Sequence, residues 1–165
     1  MATSEMVLYE EEFQRIKGVI GKLKTEANAK LVFLVDRNGQ QIAAHGDVSE
    51  LDTTSLASLT AGNVAATDGL AKLMGEPEFN VLFHEGRNEN VHISIVGRRV
   101  ILVVIFDERS SLGLVRLRVK KATVELEAVF DDIMKKVEQE RASGASAESP
   151  FAEITDDDID SLFGE

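Results

Sequence analysis

Residues 51–74 read LDTTSLASLTAGNVAATDGLAKLM, and the fold turns on how this stretch is oriented. Leu56, Leu59, Leu70 and Leu73 recur at helical spacing and read as an ordinary core face. Ala57, Ala61, Ala65 and Gly69 form a second line at i, i+4, with Ser58, Gly62 and Ala66 beside it. Small side chains bury little apolar surface, but they let another backbone or a flat partner come close. Helix propensity alone would account for the alanines. It does not account for two interior glycines, each costing about 1 kcal/mol relative to alanine. The expectation is one helix with a leucine face turned to the core and a small-residue face left for docking. Asp52 and Thr53 are suited to cap its start, and Gly75 with Pro77 close behind marks its stop.

On the N-terminal side, Tyr9, Phe13, Ile16, Ile20 and Leu23 predict a first helix over Val7–Ala27. Two strands follow, Leu31–Val35 and Gln41–His45. They are joined by Asp36-Arg37-Asn38-Gly39, whose Asn-Gly pair predicts a primed hairpin turn. The first strand is apolar on both faces and should lie inside the sheet. On the C-terminal side, strands are expected at Phe79–Glu85, Val91–Val96 and Val100–Phe106, then a helix from about Ser111 to Glu140. Leu112, Val115, Val119, Ala122, Leu126, Val129, Ile133 and Val137 line one face of that helix, although Val115–Val119 also alternates like a strand. The fold class is α/β (α+β) in the order αββαβββα, a five-stranded, mostly antiparallel sheet with helices on both faces. In the Phe79–Glu85 strand, Phe79, Val81 and Phe83 share one face and Leu82 the other, with no lysine or proline to block edge pairing. A homodimer formed along this strand is the expectation.

Composition narrows the function classes. The chain has 165 residues, 44% of them apolar, enough for one packed core and an appendage. It has no cysteine, which excludes disulfides and thiolate metal sites. No run is apolar enough for a signal peptide or a membrane span, so a cytoplasmic protein is expected. The net charge is −11, and residues 141–165 carry seven acidic residues against one basic. Nucleic acid is therefore not an expected partner. Arg116, Arg118, Lys120 and Lys121, the one basic cluster, read as a solvated helix face.

Three regions result: a domain over 1–140, a flexible Ala/Ser/Gly-rich linker over 141–153 and an acidic helical motif over 154–165. In the motif Thr155 is placed as N-cap, and Asp158 at N3 reaches back as in a capping box. Ile154 and Ile159 form a hydrophobic staple. Ile159, Leu162 and Phe163 then share a face. Isolated helices below ~12–15 residues are marginal in water, so the motif should fold on a partner's groove, the alternatives being docking on its own domain or a solubilising acidic end. No nucleophile–base pair, phosphate loop or zinc motif is present. His45, His84 and His92 have no metal-site spacing and read as structural or surface residues. No cofactor is expected.

The αββαβββα order, the block Leu56-Ala57-Ser58-Leu59-Thr60-Ala61-Gly62-Asn63, and Ile101–Phe106 leading into Ser111–Arg116 resemble the roadblock/LC7 family. The closing Ser149–Ile154 with Asp156-Asp157-Asp158-Ile159 extends the resemblance to bacterial polarity regulators within it, from about Tyr9 onward. The resemblance implies a homodimer through the third strand, giving a ten-stranded sheet. The two second helices would form a platform for one Ras-like small GTPase. It implies GTPase activation without an inserted arginine, in cell polarity and motility, by a protein that is not itself an enzyme. Concentration at a cell pole is implied too. Carried onto this sequence, the platform contacts would be Ala57, Ala61, Ala65, Asp68, Gly69 and Lys72. The tail contacts would be Ile154, Ile159, Leu162 and Phe163, with an influence on nucleotide exchange. The alternative is a scaffold that binds a GTPase or motor subunit without changing turnover.

Overall fold

Val100–Phe106 (β5) is buried along its whole length and forms the middle of the sheet. A computed structural model describes residues 9–49 and 51–142. The other strands are Leu31–Asp36 (β1), Gln41–Gly46 (β2), Val81–Glu85 (β3) and Asn90–Val96 (β4). Their order is β2-β1-β5-β4-β3, and every pairing is antiparallel. The helices are Glu10–Glu26 (α1), Thr53–Met74 (α2) and Leu112–Ala142 (α3). The predicted order and class are those observed, and β1 is an interior strand as its two apolar faces require.

Alternation along β1 and β5 divides the core in two. Val32, Leu34, Leu102, Val104 and Phe106 face α1 and α3, packing on Ile16, Ile20, Leu23, Val115, Val119, Leu126 and Ile133. Leu31, Phe33, Val35, Ile101, Val103 and Ile105 face α2 and pack on Ala57, Ala61 and Val64. Residues 115–119 are helical, because Val115 and Val119 are four apart on the face that α1 and the sheet bury.

Three local expectations are corrected. The β1–β2 connection is not a two-residue primed turn. Asp36 accepts hydrogen bonds from the backbone N–H groups of Asn38 and Gln40 at 2.9 and 3.0 Å, and only Gly39 has positive φ, +89°. This is a three-residue loop with glycine in the left-handed bulge position. The primed geometry lies instead at β4–β5, where Gly97 and Arg98 have φ of 57° and 67°. Phe79 lies before β3. Asn80 still accepts a hydrogen bond from the Ile95 N–H at 3.1 Å, but the residue that would oppose Phe79 is Val96, where β4 enters its turn.

The third correction concerns α2. Its buried residues are Ala57, Thr60, Ala61, Val64 and Ala71. Ala57 is 1% and Ala61 8% exposed, whereas Leu59, Leu70 and Leu73 are 72%, 53% and 88% exposed. The helix is turned roughly opposite to the expectation. Its small side chains let it lie close on a sheet face already filled by Phe33, Ile93, Ile101 and Ile105, which leaves no room for Leu59, Leu70 or Leu73, while Leu56 alone of the four expected leucines packs partly buried against that cluster.

His92 on β4 is 2% exposed, and its Nδ1 has no hydrogen-bond partner. Burial, with the Arg116 charge second, holds its pKa below the ordinary 6.5. As the pH falls through about 6.5 the unfolded chain takes a proton that the folded chain refuses, so stability must decline there. The urea midpoint is expected to fall between pH 7 and pH 5, above the carboxylate range. His92→Leu is expected to flatten that slope.

Candidate interaction site

Helix α2 is held rigidly at both ends. The Asp52 carboxylate accepts from the Ser55 N–H at 3.1 Å and from its Oγ at 2.6 Å. The Ser55 hydroxyl, and then its N–H, hold the Asp52 pKa below the usual carboxylate range. At the other end Gly75 adopts φ 79°, so that its N–H and that of Glu76 reach the carbonyls of Lys72 and Ala71. Along its length Asn63 Nδ2 meets His84 Nε2 of β3 at 3.0 Å, tying the helix to the edge strand.

Arg37, in the β1–β2 loop, is a fastening that the sequence reading missed. Its Nη1 pairs with Asp68 at 3.0 Å and its Nη2 lies 3.6 Å from Glu78, while Nε donates to the Arg98 carbonyl at 2.5 Å. One guanidinium thus joins α2, the α2–β3 connection and the β4–β5 turn. Asp68, expected on the platform, is half-buried and engaged in this pairing.

The outward face of α2 carries Leu59, Gly62, Ala66, Gly69, Leu70 and Leu73, with Ala65 and Lys72 exposed along one margin. A methyl built on Gly62 or Gly69 would meet nothing within 4 Å. The two glycines therefore weaken the helix without serving any contact among the described residues. Of the six expected platform residues, Ala65, Gly69 and Lys72 are exposed. Ala57 and Ala61 are sealed beneath the helix by β1 and β5, and cannot touch a partner. Leu59, Leu70 and Leu73 were missed as surface because their spacing satisfies a core face equally well.

Beside this face lies β3, at the edge of the sheet. Leu82 packs beneath α2, while Phe83 stacks on Phe106 from the other face, with centroids 6.2 Å apart. Val81 and Phe83 are 45% and 37% exposed. Among the described residues nothing pairs with the outer edge of β3. The tail residues Ile154, Asp158, Ile159, Leu162 and Phe163 lie outside the described residues. Arg15 pairs with Asp132 at 2.8 Å on the opposite side of the sheet, and Arg109 pairs with Asp107 at 3.0 Å. Among the described residues no helix is long and apolar enough to cross a membrane, and no three acidic or histidine side chains gather as a metal site.

Residues 15–106 match the model of the Roadblock/LC7 domain. A solved structure of Myxococcus xanthus MglB is 60% identical, with a TM-score of 0.73, and the match covers 76% of this chain and 95% of that one. The gliding protein MglB of Thermus thermophilus is 33% identical, with a TM-score of 0.72 and the same coverages. A structure of MglB with a tetrameric arrangement is 32% identical, with a TM-score of 0.73 and again the same coverages. No curated protein matched the sequence.

Proposed function

The chain belongs to the roadblock/LC7 domain family, and from that premise we propose that it regulates a Ras-like small GTPase of the MglA type by accelerating GTP hydrolysis. It acts as a homodimer. Two β3 edges pair about a two-fold axis, which continues the sheet and brings the two α2 helices onto one side. One GTPase sits on that side, against Ala65, Gly69, Lys72 and the leucine stripe. The motif at 154–163 makes a second contact and influences nucleotide exchange. The observation that carries the reading is the outward face of α2, where three leucines and two glycines lie open on a helix otherwise well capped and fastened. A relative named as a gliding protein supports a place in motility, and hence in polarity and at a cell pole.

The chain supplies no inserted arginine. Arg15 and Arg109 are held by their own aspartates, and neither is carried by α2 or β3. It acts by repositioning groups of the GTPase. Single-turnover hydrolysis by the GTP-loaded partner should accelerate with added chain and saturate at one GTPase per two chains. Alanine at Arg15, Arg87, Arg98, Arg99 or Arg109 should retain most of the stimulation, far from the ~10³–10⁵-fold that an inserted arginine supplies. Tight binding with unchanged turnover would instead identify a scaffold.

A further inference from the structure

Across the sheet end from α2, a groove of about 1350 Å³ lies between the β4–β5 turn and the last turns of α3. Phe130, Ile133, Met134 and Val137 give it an apolar floor. Arg98, Arg99 and Arg141 line it and form no ion pair among the described residues. Among the described residues, the only side-chain hydrogen bond these three arginines make runs from Arg99 to the Met134 sulfur, at 3.2 Å. Arg98 holds a left-handed conformation, φ 67°, that such turns ordinarily give to glycine or asparagine. Glu127, Asp131 and Glu138 line the α3 side, and Asp36, Glu76 and Glu78 the loop side, where Arg37 is already paired with Glu78, so only the corner formed by Arg98, Arg99 and Arg141 offers unpaired cations among the described residues. An anionic occupant must therefore keep its charge toward the arginines and its apolar side toward Phe130 and Met134.

We propose that this groove holds residues 154–163 of the same chain. Arg141 lines the groove, next to Ala142, the last described residue of α3. Eleven residues, 143–153, then precede Ile154. A chain of that length spans roughly 17–20 Å when flexible. The α3 wall from Phe130 to Arg141 is about 16 Å long at helical rise, so the segment reaches back along it. Its chemistry fits as well: Ile154, Ile159, Leu162 and Phe163 match the floor, and Asp156, Asp157, Asp158 and Asp160 match the arginines. Residues 143–165 contain seven carboxylate side chains and no cation. Tethering near millimolar effective concentration would fill ~90% of a groove whose intrinsic dissociation constant is ~0.1 mM. Docked there, the motif is withheld from any other surface, and a partner that binds it must first compete with the groove. The docking itself does not depend on the GTPase reading.

The absence of native cysteine makes a direct test possible. Full-length chain carrying Met134→Cys with Phe163→Cys is oxidised alone, without a GTPase, beside a control carrying Leu59→Cys with Phe163→Cys on the opposite side of the sheet. The Met134 pair should close within one chain about tenfold faster than the control, the excess of a docked over a merely tethered segment. Adding Arg98→Glu and Arg99→Glu should return it to the control rate. Val137→Cys replaces Met134→Cys if the latter disturbs folding. Equal rates for the two pairs, linkage only between chains, or a rate unmoved by charge reversal would each overturn the proposal. Stimulation of GTP hydrolysis is measured separately, and its presence or loss does not depend on which of these rates is found.

Discussion

Ala65→Arg is expected to leave the unfolding transition unchanged and to remove the stimulation of GTP hydrolysis. Ala65 lies exposed beside Gly69 on the outer flank of α2, where substitutions usually change stability by no more than about 0.5 kcal/mol. Arginine is also a good helix former. A partner seated closely on this face would have to enclose a guanidinium where a methyl group stood. Leaving a buried charge unpaired costs about 3–5 kcal/mol, or roughly 10²–10³-fold or more in affinity. At micromolar concentrations the hydrolysis rate should therefore fall to that of the GTPase alone. Sedimentation and the urea midpoint should match the unsubstituted chain. Stimulation surviving within tenfold of the original concentration dependence would place the platform elsewhere.

Much of the architecture was legible because short-range signals agree with one another. Asp52 and Gly75 bracket α2 as capping chemistry predicts, and Val100–Phe106 is too uniformly apolar for anything but an interior strand. The rotation of α2 was not legible. Both its faces carry apolar residues at helical spacing, and periodicity alone cannot tell which of them meets a sheet. The deciding fact is the volume already taken up by Phe33, Ile93 and Ile101, which are distant in sequence. The glycines were the better clue. Gly62 and Gly69 do lie open, as their energetic cost suggested, although the alanine line extended from them runs underneath the helix at Ala57 and Ala61. The reach of Arg37 and the groove beside Arg98 were illegible for a related reason, since each is assembled from segments far apart along the chain.

The orientation of α2 makes Ala57→Phe the sharpest counterpart to Ala65→Arg. Both positions belong to the same i, i+4 line, and an exposed ridge would tolerate an aromatic at either. Ala57 is instead packed among Phe33, Ile101 and Val103. The β1–β2 loop closes over the same point, for a methyl on Gly39 would stand 3.2 Å from the Ser58 Cα and 3.7 Å from the Ala57 carbonyl oxygen. A benzyl group placed there must push the helix off the sheet or drive its neighbours from their rotamers. Such overpacking typically costs about 1–3 kcal/mol, occasionally more. Ala57→Phe is therefore expected to lower the urea midpoint clearly, and to weaken stimulation only through the displaced helix. Ala65→Arg should do the reverse, ending stimulation without moving the midpoint. An unchanged midpoint for Ala57→Phe would mean that the small-residue line faces outward along its whole length. In that case the leucines would return to the core, and the platform would run over Ala57 and Ala61 after all.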